Sequence, residues 1–300
     1  MIRFGYCCIN MQLSKQGIRT GRTMIDRKFR QGGMQLASDI SLANARDLLT
    51  ILQWNEQQGI RLYRIGSEIF PRWNHYELAD LPDIAEIAKH LRAAGDFARA
   101  HGHRLTTHPG PFHILGSPDP VVVENSIVGL ERHSEMFDLM GYAPSFDNLI
   151  NIHVGATYGD KLGTTQRWIQ NWHRLSDNLK ARLVLENDDK ASMYSVRDLY
   201  ELIHVDTAVP ITFDYWHHTF NTGDLSEREA FFLRVRLGNV MVLLSVLITQ
   251  NLVDANSNVL LKAFVPITAY LLKIFLSGLP LLRCTRSSAR SKSRLMPIIF

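Results

Sequence analysis

Six short apolar runs alternate with amphipathic helical patterns over the first 237 residues, and this alternation constrains the fold more than any other feature of the sequence. The runs are rich in β-forming residues and cover 2–6, 61–66, 103–108, 148–154, 181–187 and 210–216. Apolar residues at helical spacing predict helices over 41–59, 81–102, 117–141, 164–178, 195–204 and 225–236. Strands that alternate with helices indicate a parallel sheet covered by helices.

Two α/β architectures satisfy this order, an open doubly wound sheet and a closed (β/α)₈ barrel. No Gly-x-Gly-x-x-Gly follows the first run, which argues against a dinucleotide-binding sheet. In a barrel the functional residues collect at the carboxyl ends of many strands, because those ends share one face. A barrel therefore predicts chemically active residues at the end of one run after another.

Imidazole and carboxylate groups do follow five consecutive runs. They are His75 in the loop after the second run, His108 after the third, His153 after the fourth, Glu186 after the fifth, and Asp214 with His217 after the sixth. A single histidine at a strand end is more often a hydrogen-bonded core or rim residue than a ligand. Five consecutive contributions to one rim favour a shared polar site instead.

A group of imidazoles and carboxylates without thiolates suits Zn²⁺, Mn²⁺ or Fe²⁺. The three cysteines, Cys7, Cys8 and Cys284, are too few and too oddly placed for a disulfide framework or a cysteine-based zinc site. Titratable groups packed together without cations would be costly, and more than four ligands suggest two or more metals. Such a site favours phosphodiester hydrolysis, with sugar isomerisation as the competing chemistry.

Seven motifs in order carry a resemblance that covers residues 1 to about 236. They are FGY (4–6), RIGSEIFP (64–71), NH (74–75), HPG (108–110), HVGATYGDK (153–161), LENDD (185–189) and FDYWHH (213–218). Together they resemble the UV damage endonuclease family of the UvsE/UVDE type. The resemblance implies a (β/α)₈ TIM-barrel-like fold of the xylose isomerase kind, related to endonuclease IV. It also implies an enzyme that nicks DNA immediately 5′ to ultraviolet photoproducts.

The resemblance also implies a set of site residues. The metal ligands would be the residues already found at the strand ends: His75, His108, His153, Glu186, Asp214 and His217. They would hold two or three divalent ions, Mn²⁺ first and Zn²⁺ or Fe²⁺ as alternatives, with Glu186 and Lys161 as catalytic residues. The DNA contacts would be Tyr6, Asn10, Phe112 and Lys161, although a lysine that opens a helix is often only solvated.

Phe112 occupies the place where relatives carry an aromatic residue that probes the lesion. The neighbouring residue is often glutamine in relatives and is Pro111 here, so this detail departs from the family pattern. The expected partner is UV-damaged double-stranded DNA, with no obligate protein partner. Alternatives are an apurinic-site endonuclease or a sugar isomerase on the same barrel, or an inactive truncated product. The few cysteines and the absence of a signal-peptide pattern favour a cytoplasmic location.

The charge pattern divides the chain into an endonuclease domain over 1–237 and an aberrant tail over 238–300. The tail has one acidic residue, Asp254, against seven lysines and arginines. It lacks the histidine and glutamate ligands that the family supplies on strands seven and eight. An apolar stretch over 259–282 is long enough to cross a membrane, but Lys262 and Lys273 interrupt it, so we expect no membrane association.

We hypothesise that the tail is translated out of frame. Residues 247–252 (LITQNL) can be encoded so that the frame starting one nucleotide before the isoleucine codon reads His-Tyr-Ser-Glu-Ser, which a relative would place there. Loss of strands seven and eight would leave the barrel incomplete, with unpaired edges and part of the metal shell missing. We therefore expect this chain to fold poorly or to be weakly active, and the coding DNA around codons 234 to 252 decides the frame.

Overall fold

A parallel six-stranded sheet organises the protein, described here by a computed structural model that covers residues 5–235. The strands are β1 Gly5–Cys7, β2 Leu62–Ile65, β3 Arg104–Thr107, β4 Ile150–Ile152, β5 Leu183–Glu186 and β6 Ile211–Thr212. They lie side by side in chain order, and every neighbouring pair is parallel. All carboxyl ends therefore open at one edge of the sheet.

Helices connect the strands. They are α1 Met11–Ser14, α2 Asp26–Gln57, α3 Ile84–Ala100, α4 Pro120–Leu139, α5 Lys161–Trp172, α6 Asp177–Lys180, α7 Val196–Leu199, α8 Val205–Thr207, α9 Tyr215–Phe220 and α10 Glu227–Val235, with a π-helical turn Tyr200–His204 between α7 and α8. Asp119 caps α4 ahead of a proline in its first turn, and Asp160 caps α5. These caps fix the starts of the helices that follow β3 and β4.

The two faces of the sheet have opposite character. One face packs against the helices in the main core and carries Tyr63, Ile65, Leu105, Ile150, Ile152, Leu183, Leu185 and Ile211. Because side chains alternate along a strand, the intervening residues lie on the other face, and strand register aligns Cys7 with Arg64 and Arg64 with Thr106. This inner face also carries Asn151, Glu186 and Thr212, so it is polar towards the carboxyl ends.

The predicted α/β class, with parallel strands in barrel order, is confirmed for residues 5–235. Several boundaries differ from the prediction. β6 ends at Thr212 because Asp214 caps α9, and α2 begins at Asp26 and kinks at Gly33, where φ is 59°. The predicted loss of strands seven and eight, the tail and its apolar stretch lie outside the described residues. None of the helices described over 5–235 is both long and apolar enough to cross a membrane.

A buried histidine on α4, His133, packs against the 3₁₀ turn Trp73–His75. The His133 ring is fully buried and lies 4.0 Å from the Trp73 ring and 5.5 Å from the His113 ring, centroid to centroid. Its Nδ1 donates to the Gly129 carbonyl oxygen at 2.8 Å. Burial holds the pKa of His133 well below its usual 6.5, and His113 adds to this, so the ring is neutral in the folded protein.

We expect His133 to make the fold sensitive to acid. The unfolded chain takes up a proton on this ring below about pH 6.5 while the folded chain does not, so the stabilisation is complete above that pH and declines as pH falls. The loss approaches about 1.4 kcal/mol per pH unit for this one site. Urea unfolding between pH 7 and 5 measures it, and His133→Leu should flatten the slope of unfolding free energy against pH.

The matched control is His173→Leu, a substitution of an exposed histidine, which should leave the wild-type slope in place. A His133→Leu protein with the same slope as the wild type would show that this ring is not the acid-sensitive group.

Candidate functional site

Glu186 lies at the centre of the polar cluster at the carboxyl edge of the sheet. It ends β5, and its side chain is 3% exposed. The His108 Nε2 atom lies 3.7 Å from its Oε2, and the His153 Nε2 atom lies 3.8 Å from its Oε1. His217 Nδ1 lies 3.5 Å from the same Oε1 atom. One buried carboxylate therefore faces three imidazoles from three different strand ends.

Five of the six predicted ligands form two groups that share Glu186. His108, His153 and Glu186 make one group, and Glu186, Asp214 and His217 make the other. Within each group the candidate ligand atoms lie within 4.8 Å of one another. Nitrogen and carboxylate donors in this arrangement suit a divalent transition metal, and a shared carboxylate suits two neighbouring ions.

Local hydrogen bonds fix the orientation of the ligands. His108 Nδ1 lies 2.9 Å from the Pro109 carbonyl oxygen, and His217 Nδ1 lies 2.8 Å from the Asn187 carbonyl oxygen. A carbonyl only accepts, so Nδ1 carries the proton in both rings. In His108 this leaves Nε2, the atom that faces Glu186, with the lone pair that a metal needs, whereas His217 faces Glu186 through the protonated Nδ1 itself. Asp214 accepts from the His217 backbone N–H at 2.9 Å, which starts α9 and holds both side chains at the rim.

The electrostatics of the cluster favour a cation. Burial raises the pKa of Glu186, and the nearby Asp214 carboxylate raises it further against the opposing effects of His153, Arg64 and His217. Burial lowers the pKa of His108 to about 3, with Arg64 and His153 adding to the effect, so this ring is a neutral donor. Two buried carboxylates beside the neutral His108 imidazole are stabilised by divalent cations, so these residues fit such ions.

Two further polar residues support the cluster, and the sequence did not single them out. Asn151, on β4, donates its amide N–H to Glu186 Oε2. Asp188 lies with an oxygen 3.0 Å from His153 Nδ1. Burial alone would lower the pKa of His153, but Asp188, Glu186 and Asp214 together raise it. The signal for Asn151 was a polar residue inside an apolar strand, two positions before His153.

His75 is not brought into either group. It ends a 3₁₀ turn ten residues after β2, and its Nε2 lies 3.0 Å from an Arg72 guanidinium nitrogen and 3.9 Å from an Asp26 carboxylate oxygen. The ring packs against Phe29, with 5.6 Å between centroids. Burial, together with the Arg72 and Arg30 charges, lowers the pKa of His75. Its role as a metal ligand stays a prediction.

Tyr6 and Asn10 bond to each other near the start of the chain. The Tyr6 hydroxyl donates to Asn55 Oδ1 at 2.7 Å and accepts from Asn10 Nδ2 at 2.8 Å. Burial raises the pKa of Tyr6 to about 12, so the phenol is protonated. Asn10 Oδ1 accepts from the Gln12 and Leu13 backbone N–H groups and caps α1. These bonds hold β1 against α2 and fix the first loop at the carboxyl edge.

Lys161 and Phe112, two of the predicted DNA contacts, differ in whether their side chains already have a partner in the protein. Lys161 begins α5, and its Nζ lies 3.2 Å from an Asp198 oxygen and 5.5 Å from the centroid of the Tyr194 ring. Phe112, in the loop after β3, is 83% exposed. The lysine is thus already paired with a carboxylate, whereas the phenylalanine presents its ring to solvent.

A comparison with protein families finds one model that matches this chain, "UV-endonuclease UvdE", over residues 2–241. The chain is 43% identical over 203 residues to the UV-damage endonuclease of Neurospora crassa, covering 65% of this chain and 30% of that protein. It is 34% identical over 229 residues to the UV-damage endonuclease of Schizosaccharomyces pombe, covering 75% and 37%. The chain thus spans about a third of the length of these fungal relatives.

Among solved structures, the chain is similar to the crystal structure of SacUVDE. The TM-score is 0.70 at 29% sequence identity, and the match covers 80% of this chain and 78% of that one. The similarity supports the fold described above.

Proposed function

The chain belongs to the UV-endonuclease UvdE family, and from this premise we propose that it is a metal-dependent DNA repair endonuclease that cuts the phosphodiester 5′ to ultraviolet photoproducts. The observation that carries the proposal is Glu186, a buried carboxylate shared by two candidate metal-binding groups at the edge where all the strands end. The relatives from Neurospora crassa and Schizosaccharomyces pombe are named UV-damage endonuclease, and a relative from Clostridium perfringens is named UV DNA damage endonuclease.

Some residues around Glu186 are candidate ligands, and others hold these ligands in position. His108 and His153 approach it from β3 and β4, and Asp214 and His217 approach from β6. Asn151 and Asp188 hold Glu186 and His153 in place by direct contact. These supports keep the donors in position before substrate arrives, so little reorganisation is needed during the reaction.

Two or three divalent ions, Mn²⁺ first, would be held by the two groups and by the predicted ligand His75. When bound, such ions lower the pKa of water and neutralise charge on a phosphodiester in hydrolysis. We assign Glu186 a catalytic role through its position between the groups, and Lys161 a role at the DNA backbone after exchange of its Asp198 partner. Phe112 would stack on the distorted bases, where a photoproduct has already reduced the cost of unstacking.

The test is strand cleavage by the purified 300-residue chain on two duplexes of identical sequence, one irradiated and one not. With Mn²⁺ we expect a nick on the irradiated duplex, mapping to the phosphodiester 5′ of the photoproduct, and none on the other. Chelation should abolish the nick, because the carboxylates and imidazoles lose the ions that make the site productive. A third duplex with an abasic site separates this activity from that of an apurinic-site endonuclease.

Equal cleavage of irradiated and unirradiated duplexes would contradict the proposal, and so would cleavage that persists in chelator. Cleavage confined to the abasic duplex would assign the site to the apurinic-site alternative.

A further inference from the structure

Exposed aromatic side chains are concentrated at the carboxyl edge of the sheet. Over residues 5–233, where exposure is described, the large exposed aromatics are Phe112, Tyr158, Trp216 and Phe220. Each lies in the segment that directly follows β3, β4 or β6. By contrast, Val128, Leu162 and Val205 are exposed aliphatic residues on helices. Single exposed aliphatics are ordinary, but aromatics collected at one functional edge indicate a binding surface.

Trp216 is the member of this set nearest to the candidate metal centre along the chain. It lies between Asp214 and His217 on α9, and its side chain is 57% exposed. Its ring touches Phe220 edge-on, with 5.3 Å between centroids. Trp73, Trp168 and Trp172 are buried at 7%, 0% and 6% exposure. The solvent-exposed Trp216 indole, next to the candidate ligands Asp214 and His217, therefore does not stabilise the core.

The sheet order places Trp216 across the centre from Phe112. β4 and β5 deliver His153 and Glu186, and these two strands lie between β3, which precedes Phe112, and β6, which precedes Trp216. A phosphodiester held at the centre has a nucleotide on each side of it. One exposed ring on each side of the centre matches that arrangement.

We propose that Trp216 is a DNA-binding residue that stacks its indole on an unstacked base on the β6 side of the candidate metal centre. The inference rests on the proposed function. An indole face stacks on any base, so the contact needs no particular sequence, and Phe220 supports the ring from its edge. The partner that stacks on this ring is DNA, because Trp216 lies between two candidate metal ligands, Asp214 and His217, at the start of the short helix α9.

The experiment measures tryptophan emission and DNA affinity in the full chain, by titration in chelator so that no strand is cut. We expect an irradiated duplex oligonucleotide to quench the solvent-exposed emission of the wild type, and we expect Trp216→Phe to remove that change. Trp216→Ala should weaken affinity for the irradiated duplex roughly 5- to 100-fold, and Trp216→Phe should restore most of it by keeping a ring. Val205→Ala, at another exposed apolar position, should bind like the wild type.

The wild-type nicking assay separates failure of this inference from failure of the proposed function. If the wild type nicks irradiated DNA but Trp216→Ala binds it equally well, the Trp216 contact is wrong and the endonuclease stands. If the wild type neither binds nor nicks that DNA, both the Trp216 contact and the proposed endonuclease function are wrong. An emission change that follows protein concentration without DNA would place a second copy of the chain on this ring and overturn the DNA contact.

Discussion

Glu186→Gln should reduce metal-dependent nicking of irradiated DNA by about 1,000-fold or more. The substitution keeps the shape of the side chain but removes the charge that both groups share, because Glu186 is common to the His108 and the Asp214 sets. Loss of any other single ligand would leave one group intact. The measurement is the initial nicking rate with Mn²⁺ at saturating irradiated duplex.

Without metal the same substitution should not destabilise the fold. Burial raises the pKa of Glu186 in the folded chain, so its ionised form opposes folding increasingly as pH rises through its ordinary range towards neutrality. A neutral amide removes that opposition, and we expect an unfolding temperature in chelator equal to or above that of the wild type. Mn²⁺ should raise the unfolding temperature of the wild type, since ions that bind the native state stabilise it. The Gln variant should lose that rise.

A matched control is Glu131→Gln, an acid-to-amide change at a half-buried site away from the cluster, where the carboxylate accepts from Ser176. It should leave the nicking rate and the Mn²⁺ effect near wild type. If Glu186→Gln kept both its nicking and its Mn²⁺-induced stabilisation, the carboxylate would not be the shared ligand.

The strand-end rule explains why most of the site could be predicted from sequence. His108, His153, Glu186 and Asp214 follow strands by no more than two residues, so the parallel sheet alone brings them to one edge. His217 follows Asp214 by one turn, and the Asp214 cap fixes it. His75 lies ten residues beyond β2, and over that distance a loop can direct it elsewhere.

The supporting residues could not be predicted, because their roles depend on which strands are neighbours. In the sequence, Asn151 is only a polar residue within the apolar strand β4. The strand register then places β5 and Glu186 beside it. In the sequence, Asp188 is only part of a turn, whereas in the structure it contacts His153. α2 also begins earlier than the helix predicted over 41–59, at Asp26, and it runs through a kink at Gly33.

The role of Arg182 likewise could not be predicted from the sequence. Its substitution has the largest expected effect on the stability of the protein. The residue directly before β5 is a fully buried arginine whose side chain is 0% exposed. Its Nε donates to Asn148 Oδ1 at 2.7 Å, and one terminal nitrogen donates to Ser134 Oγ at 2.6 Å. The other terminal nitrogen donates to Asp138 Oδ1 at 2.7 Å and to the Tyr142 carbonyl oxygen at 2.9 Å. The guanidinium thus ties the start of β5 to α4 and to the loop before β4.

Arg182→Met should lower the free energy of unfolding by about 2–4 kcal/mol, because it leaves the buried acceptors on Asn148 and Ser134 without a donor, while the Asp138 carboxylate is 42% exposed and contributes less. The unfolding temperature should fall by about 10 °C for a domain of this size. Arg182→Lys should recover only part of the loss, since an ammonium cannot reproduce the planar fork that reaches three directions. Urea and thermal unfolding in chelator measure both variants without interference from metal binding.

Arg174→Met provides the comparison, since Arg174 pairs with Glu124 at 2.5 Å but the two side chains are 46% and 58% exposed. An exposed pair contributes little, so this variant should lose less than about 1 kcal/mol. Because β5 ends at Glu186, a shift at Arg182 should also weaken the Mn²⁺-induced stabilisation of the Arg182→Lys protein, which a surface change would not do. If Arg182→Met proved as stable as Arg174→Met, the buried network would not anchor this strand, and the position of Glu186 would need another explanation.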